Sequence, residues 1–185
     1  MAQLDLSRLW SLSSELGSAD WVQVDLDIPS RERVDELLRV SRGPTAPITV
    51  KSYQGSRLGD LVGTGWVNLY LASPALQAAL KPFTGWSTFA VNDSATNSGL
   101  DPHFAGLTIV GRIGPIEEIW DDPAVPGRFG MYVDPQSWDG SDVFVADNRN
   151  AIYVTEDVAD ALMDRQLKNV VLEEVVSLEN HPGAN

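Results

Sequence analysis

The sequence predicts an α+β fold in which one mixed sheet carries two related strand–helix–strand units, at about residues 66–91 and 150–176, plus an N-terminal strand–helix–strand. Three observations lead to this prediction: an internal repeat, strand and helix periodicities near the N-terminus, and a hydrophobic content of 43%, which is typical of globular proteins. The length of 185 residues suits one domain. We therefore expect a single domain over residues 1–178 and a disordered polar tail over residues 179–185.

The repeat appears when the chain is shifted by 82 positions, which aligns GDLVGTGWVNLYLASPALQAAL with SDVFVADNRNAIYVTEDVADAL without a gap. After a length difference of two residues, the closing strands WSTFAV and VVLEEV also align. We name residues 59–91 the first unit and residues 141–175 the second unit. Only four of the 22 ungapped positions are identical, Asp60 with Asp142 among them, so the shared order of strand, cap, helix and strand is the stronger argument.

Each unit has the sequence pattern of a capped helix that follows a short apolar strand. Ser73 and Thr155 are hydroxyl residues of the kind that accept hydrogen bonds from the first turn of a helix. Proline at the first helical position, Pro74, favours the helix start in the first unit. Apolar residues then recur at i, i+3 and i+4. The pattern predicts helices over residues 74–81 and 156–165.

The N-terminal third predicts a further strand, helix and strand. Residues 21–28 alternate apolar and polar side chains, which indicates a half-buried strand. Ser30 can cap a helix that runs to about Ser41, and residues 46–53 form the second strand. Residues 1–20 mix both periods and are left without an assignment.

The segment between the two units, residues 92–140, is the least repetitive part of the chain. It predicts a polar loop at 92–99, a strand at 106–113, an acidic, proline-containing loop at 114–127 and a strand at 128–133.

Charge is distributed unevenly along the chain. The net charge is −13, and residues 61–185 hold seventeen of the 26 acidic side chains but only six of the 13 basic ones. Such a field repels nucleic acid and anionic lipid and attracts basic proteins. No apolar stretch approaches the roughly 20 residues of a membrane span, and the N-terminus lacks the pattern of a secretory signal. We expect a cytoplasmic protein with a basic protein partner, and no nucleic acid or membrane partner.

Several classes of enzyme chemistry lack the residues they need. The chain has no cysteine and two histidines, His103 and His181, so it contains no thiolate zinc site and no cysteine nucleophile. It has neither a phosphate-binding glycine loop nor a GxSxG nucleophile motif. We expect no catalytic residues, no metal and no cofactor.

Clustered carboxylates leave an enzyme open as the alternative. A cation-dependent hydrolase could use the acidic residues between 117 and 147, and Asp134, Asp139, Asp142 and Asp147 supply oxygen donors. The order of an EF-hand loop is absent, and the position of Asp60 in the first unit favours a repeated structural role for Asp142. A ligand-binding or scaffold domain is the third possibility.

The chain contains six tryptophans, and five of them fall into two groups according to their surroundings. Trp21, Trp66 and Trp86 lie in or near predicted strands and are expected in the core. Trp120 and Trp138 lie in loops rich in carboxylates, where tryptophan serves either as an interface anchor or as a lid on the core. Taking the first reading, we predict a partner-binding face that combines charge with aromatic area, formed by Glu117, Glu118, Trp120, Asp121, Asp122, Trp138, Asp139 and Asp142.

The second unit resembles a known bacterial group. WDGSDVF, followed by IYVTEDVADAL and VVLEEV, is similar to the C-terminal signature of a superfamily that includes the myxobacterial double-CXXCG proteins and related immunity proteins of polymorphic toxin systems. LASPALQAAL, TGWSTFAV and GLTIVGRIGPI resemble its upstream blocks, so the resemblance covers about residues 59–178. The CXXCG pairs themselves are missing. The resemblance implies a non-enzymatic cytoplasmic protein that binds and neutralises a toxin, and it transfers no catalytic residues.

Overall fold

A computed structural model describes most of the chain, apart from short segments that include both termini. The tail predicted at 179–185 lies outside the described residues, which are 9–15, 20–39, 46–66, 69–93, 100–119, 130–149 and 151–175. The elements of the described chain are β1 (Leu9–Ser13), β2 (Gln23–Leu26), α1 (Arg31–Arg39), β3 (Ile48–Gln54), β4 (Leu61–Thr64), β5 (Tyr70–Ala72), α2 (Pro74–Leu80), β6 (Trp86–Asn92), β7 (Ala105–Ile109), β8 (Gly111–Ile113), β9 (Glu117–Ile119), β10 (Gly130–Tyr132), β11 (Val143–Ala146), β12 (Ile152–Thr155), α3 (Glu156–Met163) and β13 (Val171–Glu174).

The fold is mixed α+β, as predicted, but its strands divide between two main sheets instead of forming one. Six strands close a barrel in the order β2-β3-β6-β7-β5-β4. Five others form an open sheet in the order β13-β1-β12-β11-β8, and β9 pairs with β10 in a separate ribbon. Both main sheets contain parallel and antiparallel pairs. The N-terminal strand–helix–strand is β2, α1 and β3, and both of its strands belong to the barrel.

The two units have the same hairpin register at the offset seen in the sequence. Leu61 lies opposite Ala72 in the β4–β5 hairpin, and Val143 lies opposite Val154 in the β11–β12 hairpin. Adding 82 to both residue numbers of the first pair gives the second pair. The same holds for the next two pairs of each hairpin. Because a slip of one residue would turn every side chain to the other face, an equal register gives the two hairpins the same buried faces.

Each unit is completed by an inner strand, and the two inner strands come from different parts of the chain. In the first unit, β7 lies between β5 and β6, and Phe89 faces Gly106. In the second unit, β1 lies between β12 and β13, and Glu173 faces Ser11. The closing strands thus correspond at a shift of 84, which matches the two-residue length difference in the sequence. β1 lies within residues 1–20, for which the sequence pattern gives no assignment, and it is the strand that completes the second unit.

The main hydrophobic cluster is shared by the two units. Leu76 and Leu80 of α2 are fully buried, as are their counterparts Val158 and Leu162 of α3. A second cluster includes α1 and barrel residues, and a third includes Phe144 of the open sheet. Trp21 is buried, and Trp66 and Trp86 are partly buried against these clusters, so the core placement predicted for the three tryptophans is confirmed.

The strand predicted at 106–113 is two strands that belong to different sheets. β7 lies in the barrel and β8 in the open sheet. Between them, the N–H groups of Val110 and Gly111 both donate to the Gly85 carbonyl (2.8 and 2.9 Å). This contact lets the chain leave one sheet and enter the other without an unpaired amide.

The predicted helix caps differ between the units. Ser73 Oγ accepts from the N–H of Leu76 (3.1 Å) and donates to Asp60 Oδ1 (2.6 Å), which confirms the cap of α2. Thr155 occupies the N-cap of α3, but its side chain forms no capping bond, and within the described residues its buried Oγ1 has no hydrogen-bond partner. The prediction of a hydroxyl cap is wrong for the second unit.

This difference between the caps predicts different changes in the free energy of unfolding when each hydroxyl is removed. Ser73→Ala is expected to lower the free energy of unfolding by about 1–2 kcal/mol, because a buried cap is lost. Thr155→Val is expected to change it by less than about 0.5 kcal/mol or to raise it, since the isosteric change removes a buried hydroxyl that bonds nothing. Urea unfolding of both variants measures the difference, and equal losses would contradict the structural reading.

Candidate functional site

Two carboxylates of the loop between β10 and β11 bind backbone groups. Asp134 Oδ1 accepts from the Gln136 N–H (2.9 Å) at the start of a 3₁₀ turn. Asp139 accepts from the N–H groups of Arg112 (2.8 Å) and Ser141 (2.9 Å), and its own N–H donates to the Arg112 carbonyl (3.1 Å). Asp139 thus covers the outer edge of β8, where unpaired backbone groups would otherwise lie.

Asp142 and Asp60 bind each unit to the turn of the other unit. Asp142 Oδ2 accepts from the N–H and Oγ1 of Thr84 (2.7 and 2.8 Å) in the first unit. Asp60 Oδ2 accepts from the N–H of Lys168 (2.7 Å) in the second unit. The two aspartates have equivalent positions and equivalent bonds, as a repeated structural role predicts. Both aspartates thus bond the other unit instead of forming a local Asx turn, and Asp60 also accepts from Ser73 Oγ of its own unit.

Trp138 is half-buried and packs against the third cluster. Its indole N–H donates to the Ser141 carbonyl (2.9 Å), and its ring centroid lies 6.3 Å from that of Phe144. Of the two readings that the sequence left open, this geometry favours the lid on the core.

Truncation of Trp138 tests that role. Trp138→Ala is expected to lower the free energy of unfolding by about 2–3 kcal/mol, less than a fully buried tryptophan would lose. Trp138→Phe should retain most of the packing and lose about 1 kcal/mol with the N–H bond. Thermal and urea unfolding measure both changes. A stable Trp138→Ala variant would instead point to an interface residue.

Two further residues of the predicted face, Glu117 and Glu118, belong to β9 of the β9–β10 ribbon. Glu117 is exposed and pairs through its backbone with Tyr132, and Glu118 pairs with Met131. Trp120, Asp121 and Asp122 lie outside the described residues. The structure therefore brings Trp138, Asp139 and Asp142 together in one loop. It describes only the first two residues of the acidic segment.

The carboxylates proposed as cation ligands do not converge. Within the ranges that the structure describes, no three histidine, aspartate or glutamate side chains form a group that could hold a metal ion. His103 Nδ1 lies 2.7 Å from Asp101 Oδ1, with both side chains exposed. The backbone N–H and ring of His103 lower the pKa of Asp101 by hydrogen bonding to its carboxylate.

An apolar groove of about 310 Å³ lies between α3 and β13, in a part of the chain for which the sequence predicted no site. Met163 is 45% exposed there, and within the described residues only Tyr53 and Leu58 are other exposed large hydrophobic side chains. The groove is lined by Leu162, Met163, Gln166, Leu167, Val170 and Leu172.

The segment that forms this groove is acidic, whereas its counterpart in the first unit is not. Residues 156–174 hold six acidic and two basic side chains, a net charge of −4. The equivalent residues 74–90 hold no acidic side chain and one lysine, a net charge of +1. Five of the six carboxylates are exposed and form no ion pair within the described part of the chain; they are Asp157, Asp160, Asp164, Glu173 and Glu174.

A smaller cavity of about 220 Å³ lies on the barrel, beside the paired strands β2 and β3. Its lining is mostly polar, with Gln23, Tyr53 and Gln54 and a single carboxylate, Asp25. One carboxylate does not supply the clustered carboxylates that the hydrolase alternative requires.

Comparison with known proteins does not identify a family. No protein-family model matches the chain, and no curated protein is significantly similar to it. Among the described helices, none has the length and apolar character needed to cross a bilayer. The geometry of the groove and its charges is therefore the basis for a functional proposal.

Proposed function

We propose that the protein is a non-enzymatic binding module that acts in the cytoplasm, where it neutralises a basic partner toxin, as the immunity-protein resemblance implies. One observation carries the proposal: the segment that forms an apolar groove in the second unit holds five exposed carboxylates that form no ion pair with described residues, whereas the equivalent segment of the first unit has no acidic side chain. Charge around an apolar centre is the arrangement of a protein-binding surface.

The acidic charge of residues 156–174 is not required to form the helix and closing strand of a unit. The first unit forms the corresponding helix and closing strand with residues 74–90, which contain no acidic side chain. Like charges on one face repel each other and lower stability slightly. A basic partner removes that repulsion and is attracted from a distance, which raises the association rate.

The partner-binding face that we propose contains different residues from the face predicted from the sequence. Trp138, Asp139 and Asp142 have partners within the chain, so we assign them to support of the loop and not to partner contact. Glu117 and Glu118 remain in the proposed face together with Trp120, Asp121 and Asp122, which lie outside the described residues. The acidic groove of the second unit is added to it. No observation supports the hydrolase alternative, and three carboxylates of its region, Asp134, Asp139 and Asp142, bind separate backbone groups.

We expect a neighbouring gene to encode the partner toxin, and the domain that it encodes supplies the test. Co-expression should restore growth of cells that produce the toxin, and titration calorimetry should measure a complex whose affinity falls with salt. Asp157→Asn combined with Asp160→Asn and Glu174→Gln should weaken binding about tenfold, since three attractive charges are lost.

A matched control changes the net charge equally at a distant place. Asp25→Asn, Asp27→Asn and Glu32→Gln also remove three exposed carboxylates, but from the barrel and α1. This control should change affinity less than about threefold through the overall field alone. Equal effects of the two triple variants would contradict the assignment of the surface, and a toxin that is neither bound nor neutralised would contradict the function.

A further inference from the structure

The groove exists because a large side chain of the first unit has a small counterpart in the second. Trp86 packs against the main cluster, and its indole N–H donates to the carbonyls of Leu80 (2.9 Å) and Phe83 (3.0 Å). Val170 occupies the equivalent position in the second unit and lines the groove. The space that an indole ring fills in one unit is therefore open to another molecule in the other.

One wall of the groove is the outermost strand of the open sheet. β13 pairs with β1 on one side, and no strand of the described chain pairs with its other side. The Val175 N–H donates to the Leu9 carbonyl, and antiparallel pairs alternate, so Val171 and Glu173 also direct their backbone groups towards β1. The N–H and C=O groups of Leu172 and Glu174 are then directed outwards, where they can pair with an added strand.

Side chains of β13 define what an added strand must carry. Leu172 and Glu174 lie opposite Leu12 and Trp10, which belong to or pack on the main cluster, so both face the α3 side of the sheet. Glu173 faces the other side and is exposed, as Glu174 is. An apolar residue beside Leu172 would enter the groove, and basic residues beside Glu173 and Glu174 would neutralise their charges.

We propose that β13 and the groove bind an extended segment of a protein partner, which adds a strand to the open sheet and carries basic residues next to an apolar one. Backbone pairing supplies affinity in this mode, and the apolar pocket and carboxylates supply selectivity. The inference rests on the proposed function for the existence of a basic partner. Its test uses a defined peptide and does not need the toxin.

Two other occupants fit the chemistry less well. The C-terminal tail, residues 176–185, contains Glu179 and no lysine or arginine, so it does not complement an acidic rim. A second copy of the chain would place Glu173 and Glu174 near the same carboxylates of its partner, and like charges opposite each other across strands are destabilising.

The experiment measures binding of the capped pentapeptide Lys-Lys-Val-Lys-Lys to the isotope-labelled full-length protein by NMR. We expect amide shifts confined to α3 and β13, weaker at high salt, and none with Glu-Glu-Val-Glu-Glu. Val170→Trp should fill the groove with the residue of the first unit and weaken binding at least about tenfold. Met163→Lys, which also copies the first unit at an exposed position, should do the same through charge even if Val170→Trp fails to fold.

Each other result overturns the inference. Absence of shifts at millimolar peptide, shifts elsewhere, or binding by both variants as tight as that of the unmodified protein would exclude this site. Binding that tightens about tenfold on deletion of residues 176–185 would assign the groove to the tail. A dimer in ultracentrifugation that Val170→Trp converts to a monomer would assign it to a second copy. Neutralisation of the toxin without peptide binding would leave the proposed function intact and reject only this mode of recognition.

Discussion

Gly85→Ala is expected to lower the free energy of unfolding by about 4 kcal/mol or more, which is a large part of the stability of an ordinary domain. A Cβ atom at this position would lie 2.0 Å from the Val143 carbonyl oxygen and 2.6 Å from Ser141 Cβ. The backbone φ of +89° is also one that alanine adopts poorly. Because Gly85 is the contact between the turn of the first unit and the start of the second, the two units would be forced apart.

Substitution of Gly140 is the control that separates the steric collision at Gly85 from the cost of placing alanine at a positive φ. Its φ is +88°, but a Cβ atom there would meet nothing within 4 Å. Gly140→Ala should therefore cost only the conformational penalty, about 1–2 kcal/mol. Urea unfolding of the two variants measures the difference between them. If both lose the same stability, the close approach at Gly85 is not what holds the two units together.

Local patterns in the sequence were sufficient for the parts of the fold that depend on local physics. The helices after Ser73 and Thr155 begin where proline, hydroxyl and apolar spacing indicate, and the offset repeat gives hairpins of equal register. The helix in the N-terminal third begins after Ser30, whose Oγ accepts from the Arg33 N–H (3.4 Å). Apolar periodicity and capping act over a few residues, so they are visible without tertiary information.

Long-range pairing was not visible in the same way. β1 pairs with strands more than 130 residues away, and its short mixed pattern contains no sign of that partner. The division into a barrel and an open sheet depends on the break at Val110, which is caused by hydrogen bonds to the distant Gly85 carbonyl. A continuous apolar run such as GLTIVGRI reads as one strand because the sequence does not record which sheet each half joins.

The candidate site shows the same limit. Carboxylates around Trp138 were recognised as a charged surface, but their use as acceptors for backbone N–H groups follows from loops that only the fold brings together. The groove beside α3 had a signal that could have revealed it. Aligning the units places Val170 opposite Trp86 and the acidic residues 156–174 opposite a segment without acidic side chains, so comparison within the repeat was more informative than composition.

The two units touch at two equivalent contacts. In one contact the glycine lies before the closing strand, and in the other it lies before the hairpin. In one contact Gly85 faces Ser141, and a Cβ on the glycine would lie 2.6 Å from Ser141 Cβ. In the equivalent contact Asn169 faces Gly59, where an added Cβ would lie 2.4 Å from Asn169 Cβ. Asn169 tolerates a φ of +58°, and its side chain donates to the Leu61 carbonyl (2.8 Å) and accepts from the Glu15 N–H (2.9 Å). Each contact therefore has room for one side chain.

A double-mutant cycle at the second contact tests this rule. Gly59→Ser alone is expected to lower the free energy of unfolding by about 3 kcal/mol through overpacking. Asn169→Gly alone should cost about 2 kcal/mol, since it keeps the backbone geometry and loses both hydrogen bonds. The double variant recreates the serine–glycine pairing of the other contact, so it should lose only about 3 kcal/mol in total. The resulting coupling of about 2 kcal/mol is typical of residues in direct contact, and strictly additive losses would show that the two positions do not share one space.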